Sequence, residues 1–202
     1  MESQPTAQSV RDRPRALVLA SSADVAANDL CVDLLSSDSP ERQRVLSLSY
    51  TRRPTRIVDH WRAAHDGLPA SMAIVCPESH ADGEPPDGVH TTHVPASDLT
   101  GASIAVSRYL DRWDGDEPIT VCLNSLTSLL QYADRDRVFR FLHTITSRCL
   151  AHKKENQRQR HRSHNSQDTP HAYLPTPEAR IITADHAHAP PPDWCPGTIA
   201  VG

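Results

Sequence analysis

A three-layer α/β fold, with a mainly parallel sheet and helices on both faces, is what the sequence predicts. Three observations carry this. Four short apolar runs occur, at residues 16–20, 45–50, 72–76 and 119–123. Each is too short for a helix and reads as a buried strand. Between and after them, apolar residues recur at helical spacing. Strands that alternate with helices build parallel sheets covered on both faces.

The elements follow in order. Residues 1–14 are polar, without a packing pattern, and read as disordered. After the strand at 16–20, Ser21 or Ser22 can cap a helix, with Asp24 in its first turn and Ala27, Leu30, Cys31 and Leu34 on one face. A second helix is predicted over 55–65, with Ile57, Val58, Trp61 and Ala64 on one side. Pro77 ends the third strand, and the Asp-, Gly- and Pro-rich stretch 78–90 reads as a surface loop. Asp98 can cap a third helix carrying Leu99, Ala102, Val106, Leu110 and Trp113. Asp134 can cap the last one, where Val138, Phe141, Leu142, Ile145 and Cys149 define an apolar face. His143, among these residues, reads as a packed helix histidine.

The stretch 116–153 organises the rest. Its buried strand ends on Asn124-Ser125-Leu126-Thr127-Ser128-Leu129-Leu130-Gln131-Tyr132, followed by Arg137-Val138-Phe139-Arg140-Phe141-Leu142-His143. This resembles the strand that carries the Walker B acid in RecA-superfamily ATPases, and more narrowly the KaiC-like, RecA-type domains of halophilic archaea. The resemblance implies a RecA/P-loop NTPase-like sheet, incomplete at the C-terminus, and a tendency to assemble with copies or relatives. The departure is Asn124. It occupies the acid position, and a neutral amide cannot supply the carboxylate charge that holds magnesium.

Composition divides the chain. Residues 1–150 carry a net charge of −5 and contain no lysine; residues 151–202 carry +1 and hold 7 of the 17 prolines and 6 of the 12 histidines. The expected organisation is a disordered N-terminus (1–14), a degenerate RecA/KaiC-like domain (15–151) and a polar, Pro/His-rich, largely disordered tail (152–202). In that tail only Ala179-Arg180-Ile181-Ile182-Thr183 looks strand-like. No apolar run reaches membrane-spanning length and the first residues lack a signal-peptide core, so a cytoplasmic location is expected. The five scattered cysteines read as small buried hydrophobes in that setting.

The missing chemistry is the sharper signal. A P-loop needs Gly-x-x-x-x-Gly-Lys-Ser/Thr after the first strand, so that backbone amides and a lysine can hold phosphates. The junction here is Ala20-Ser21-Ser22-Ala23-Asp24-Val25-Ala26-Ala27-Asn28, and the first glycine in the chain is Gly67. His161, His164, His186, His188 and Cys195 do not match a zinc-finger spacing. The cluster from Lys153 to Arg162 is short, interrupted by Glu155 and lacks aromatics, a weak pattern for nucleic acid.

The expectation is therefore a non-catalytic, degenerate domain with a regulatory or protein-interaction role and a protein partner or homo-oligomer. No cofactor, metal or membrane is expected, and neither nucleotide nor nucleic acid is an expected partner. No residue is catalytic; the strand-tip positions Asn124, Ser125, Glu78, Ser21 and Ser22 stand as vestiges of a site. The alternatives are an ATPase-type protein with unorthodox ligands or completed by a partner subunit, and a nucleic-acid-associated protein using the basic tail.

Overall fold

The computed structural model of the chain describes residues 15–21, 35–36, 39–85, 87–113, 117–164 and 180–187. Six strands form one sheet: β1 (Arg15–Ser21), β2 (Arg44–Ser49), β3 (Ser71–Pro77), β4 (Val89–Val94), β5 (Ile119–Asn124) and β6 (Arg180–Ala187). Their order is β1-β6-β5-β2-β3-β4, and every neighbouring pair is parallel. The described helices are α1 (Pro54–Ala64), α2 (Leu99–Arg112), a single turn α3 (Leu126–Leu129) and α4 (Arg135–His164).

Alternation along the strands sends successive side chains to opposite faces. On one face Leu46, Leu48, Ala73, Val75, Ile119, Val121 and Leu123 pack with the apolar sides of α2 and α4. On the other, Val45, Met72, Ile74 and Cys76 pack with Val58 and Trp61 of α1. This is the three-layer arrangement the sequence predicts.

The helix signals act where they were read. Asp98 caps α2, its side chain accepting from the Gly101 N–H at 2.8 Å. A Cβ at position 101 would meet that carboxylate, so a side chain there would require Asp98 to shift from its capping position. Asp134 caps α4 by accepting from the Arg137 N–H at 2.9 Å. Val138, Phe141, Ile145 and Cys149 are buried and Leu142 packs against them. In α1, Pro54 stands in the first turn, where its fixed φ suits a helix start.

Several expectations change. Residues 89 and 90 belong to β4 rather than to a surface loop. Val-His-Thr-Thr-His-Val carries no apolar run, because an edge strand with partly exposed faces does not need one. The turn α3 also lacks a periodic signature, being four residues long. His143 and Ala64 are exposed, not packed. Within the segment read as a polar tail, the backbone of α4 runs on to His164, and residues 180–183 of the strand-like run fall on β6, inserted between β1 and β5. Residues 1–14, Ser22, the predicted helix face Ala27, Leu30, Cys31 and Leu34, and the ligand candidates His188 and Cys195 lie outside the described residues. Cys76, Cys122 and Cys149 are buried and are not in disulfides.

The two phenylalanines test the register of α4. Phe141 is 4% exposed and Phe139 is 69% exposed. Phe141→Ala is expected to cost about 3–5 kcal/mol, and Phe139→Ala to stay within about 0.5 kcal/mol of the parent. Urea denaturation of both variants measures this; equal losses would mean that the buried face of α4 is assigned wrongly.

Candidate functional site

In open parallel sheets, ligands bind beyond the carboxyl ends of the strands. At that end of the central pair β5–β2 the polar groups gather. Asn124 closes β5, opposite Ser49 in the ladder. It is 8% exposed, and its side-chain carbonyl accepts a hydrogen bond from the Thr51 hydroxyl at 2.6 Å. Its backbone carbonyl accepts from the Tyr50 N–H, also at 2.6 Å. The strand tip is thus tied to the start of the next loop by both side chain and main chain.

The neighbours are likewise engaged. Ser125 is fully buried and caps α3, its hydroxyl accepting from the Ser128 N–H at 3.3 Å. The Asn124–Ser125 peptide is cis. The Ser49 hydroxyl donates to the Arg52 carbonyl at 3.1 Å and accepts from the Arg52 N–H at 3.0 Å, folding the loop back on the strand. On the α1 face, Ser47, Ser49, Arg52, His60, Cys122 and Asn124 help line a cavity of about 40 Å³. That holds a few waters, whereas small-molecule pockets run to roughly 300–1,000 Å³.

The other strand-tip positions do not converge here. Glu78 is exposed in a 3-10 turn after β3, and β3 is two strands from β5. Ser21 ends β1, two strands away on the other side. Two strand spacings amount to about 10 Å, too far for either residue to share a ligand atom with Asn124. Ser22 lies outside the described residues. Among those residues, no group of three or more His, Cys, Asp or Glu side chains is placed to hold a metal ion, and no helix is long and apolar enough to cross a membrane.

At the tip of β2, the state of the Tyr50 hydroxyl is what sequence reasoning missed. As the last member of an apolar run the residue looks like core, and its ring is core, at 4% exposure and 6.1 Å from the Tyr132 ring. Its hydroxyl, however, is buried with no hydrogen-bond partner among the described residues. Burial, reinforced by the negative charge of Asp98, pushes that hydroxyl up to about 12. Burial likewise raises the thiols of Cys149, to about 12, and Cys76, to about 11. Both remain neutral thiols at physiological pH, poor nucleophiles and poor metal ligands.

An all-parallel α/β sheet, with its polar groups knotted into structural hydrogen bonds at the central strand tips, defines the class: a three-layer α/β domain with no assembled catalytic constellation among the described residues. The chain belongs to a family of unknown function, DUF7504, whose profile matches residues 14–154. No curated protein matches it. Among solved structures it is similar to the uncharacterized protein PH0321 of Pyrococcus horikoshii, crystallised in complex with an unknown peptide. Identity is 16% and the TM-score 0.49, over 85% of this chain and 68% of that one. A likeness so distant bears on neither site nor activity.

Tyr50 supplies a measurable outcome. An unpartnered buried hydroxyl costs roughly 1–3 kcal/mol, so Tyr50→Phe is expected to be neutral or stabilising. The raised hydroxyl is neutral in the folded chain and ionises first in the unfolded one. Its contribution is therefore constant below pH 10 and lost as pH rises from 10 to about 12. Denaturation of parent and Tyr50→Phe across that range should show a shallower alkaline loss for the variant. Destabilisation by Tyr50→Phe at pH 7 would mean that the hydroxyl has a partner.

Proposed function

We propose that this chain is a non-catalytic RecA/KaiC-like domain with a regulatory or protein-interaction role, and that it neither binds nor hydrolyses ATP. The observation that carries the reading is Asn124. Where a RecA-type acid would face magnesium, a neutral amide is buried and its carbonyl is occupied by the Thr51 hydroxyl at 2.6 Å. The position acts as a joint between β5 and the loop after β2. Supporting it, the sequence from Ala20 to Asn28 offers neither the glycines nor the lysine of a phosphate cradle. Among the described residues no set of reacting groups is assembled at the strand tips, and the surfaces of the domain are the part proposed to contact another protein.

Calorimetry with ATP and Mg²⁺ tests the reading. A dissociation constant below roughly 100 μM, about −5.5 kcal/mol, would overturn it. Asn124→Asp supplies the second arm. It is expected not to hydrolyse ATP, because the cradle is still missing. It is also expected to lose stability as pH rises from 4 to 7, since a buried carboxyl titrates above its unfolded value and its charged form is disfavoured. Asn124→Ala removes the hydrogen-bond acceptor and should cost about 1 kcal/mol, against no cost if the amide were idle.

A further inference from the structure

β4 is an edge of the sheet, and among the described residues it pairs only with β3. The register fixes which of its backbone groups face outward. The Met72 N–H donates to the Gly88 carbonyl at 3.3 Å, and Met72 stands opposite Val89 in the ladder. Bonding directions alternate residue by residue along a parallel pair. Gly88, His90 and Thr92 therefore turn their backbone groups toward β3, and Val89, Thr91 and His93 turn theirs outward.

Native edges are blunted by lysine, proline, bulges or inward-pointing charges. Val89–Val94 has no proline, no lysine and no Asp, Glu or Arg, and its valines and threonines favour extended backbone. The surroundings give the edge a sign. The Thr92 and Tyr109 hydroxyls are hydrogen-bonded at 2.9 Å, which holds that side of α2 beside β4. Ser107 and Asp111 face the other way, toward Arg148 of α4. Arg108 and Arg112, one residue before and three after Tyr109, lie on the flank away from α4 and are exposed. On the opposite face of the sheet lies Asp82, hydrogen-bonded by Thr55 of α1, and the exposed Asp87 and Glu78 stand just before β4 and just after β3.

We propose that the β4 edge accepts an added strand from a partner protein, an extended segment whose acidic side chains alternate so that all face α2. Main-chain hydrogen bonds from Val89, Thr91 and His93 supply the attachment, and Arg108 and Arg112 supply the selectivity. A second copy of this chain fits worse. A two-fold axis at Thr91 or Thr92 would bring the two arginine-bearing flanks of α2 together, like charge against like. The inference gives the interaction reading above a surface and rests on it only for the existence of a partner.

The test uses the full chain and two acetylated, amidated hexapeptides, one alternating valine with glutamate and the other valine with lysine. At about ten times its dissociation constant, the glutamate peptide should slow amide exchange at Val89, Thr91 and His93 about tenfold. His90 and Thr92 should be unchanged, and the lysine peptide should have no effect. Thr91→Pro removes an outward N–H and no β3–β4 bond, so it should abolish the protection while the domain stays folded. The double variant Arg108→Glu, Arg112→Glu should exchange the peptide preference, and it keeps the proposal testable if the proline variant does not fold. Protection by neither peptide, equal protection by both, or protection that grows with protein concentration in the absence of peptide would overturn the proposal, the last by assigning the edge to a second copy. Failure here leaves the interaction reading standing, whereas ATP–Mg²⁺ binding would remove that reading and leave the exchange result untouched.

Discussion

Burying every residue of β5 is the constraint on which the rest of the structure depends. The strand is bonded on both sides, to β2 and to β6, and all six of its residues are buried. In such a place each polar group must find its partner inside the protein. Ile119, Val121 and Leu123 meet this by having no polar side-chain atoms and by filling the larger core. Asn124 has no such option, so Thr51 and Tyr50 are drawn to its two carbonyls. The loop after β2 is shaped by that demand, with Ser49 clasping Arg52 one turn further on.

The two faces of the sheet answer the same demand unequally. On the face of α2 and α4 the strands contribute Leu, Val and Ile, and two helices lie side by side over them. On the face of α1 the central strands contribute Ser47, Ser49, Thr120, Cys122 and Asn124, small or polar residues that leave the cavity beside Trp61. Hydrophobic stabilisation scales with apolar area removed from water, so the first face carries more of it than the second. Polar groups at the strand tips are tolerated on the side where less apolar packing is displaced. Neutrality of Asn124 suits this setting, since a carboxylate there would have to be desolvated, whereas the amide is satisfied by the Thr51 hydroxyl.

Much of the fold was legible because its signals are local. The runs of β2, β3 and β5 are buried on both faces and rich in Val, Leu and Ile, as strands between helix layers are. Asp98 and Asp134 announce α2 and α4 because capping acts within three residues. β4 was not legible, since an edge strand made of Val, His and Thr lacks an apolar run and its identity depends on β3 lying beside it. Of the candidate site, Asn124 and Ser125 were legible as a strand tip, while the bond from Thr51, 73 residues away in sequence, was not. The unpartnered Tyr50 hydroxyl left no trace in the sequence either, because only the packed neighbourhood decides whether a tyrosine finds an acceptor. Glu78 and Ser21 share an end of the sheet with Asn124 but not a site, a separation set by strand order.

Strand order also has a consequence for how the molecule comes into being. Among the described residues, β1 touches the rest of the sheet only through β6, which contacts β5 on its other side. Of the described strands, the first in sequence is therefore joined to the sheet by the last. Arg15 meets Ile181 across almost the whole length of the chain, and such distant pairings are slow to close. Neither the β1–β6 nor the β5–β6 ladder can form before residues 180–187 are present. Among the described strands, joining β1 to the sheet is thus tied to the arrival of β6.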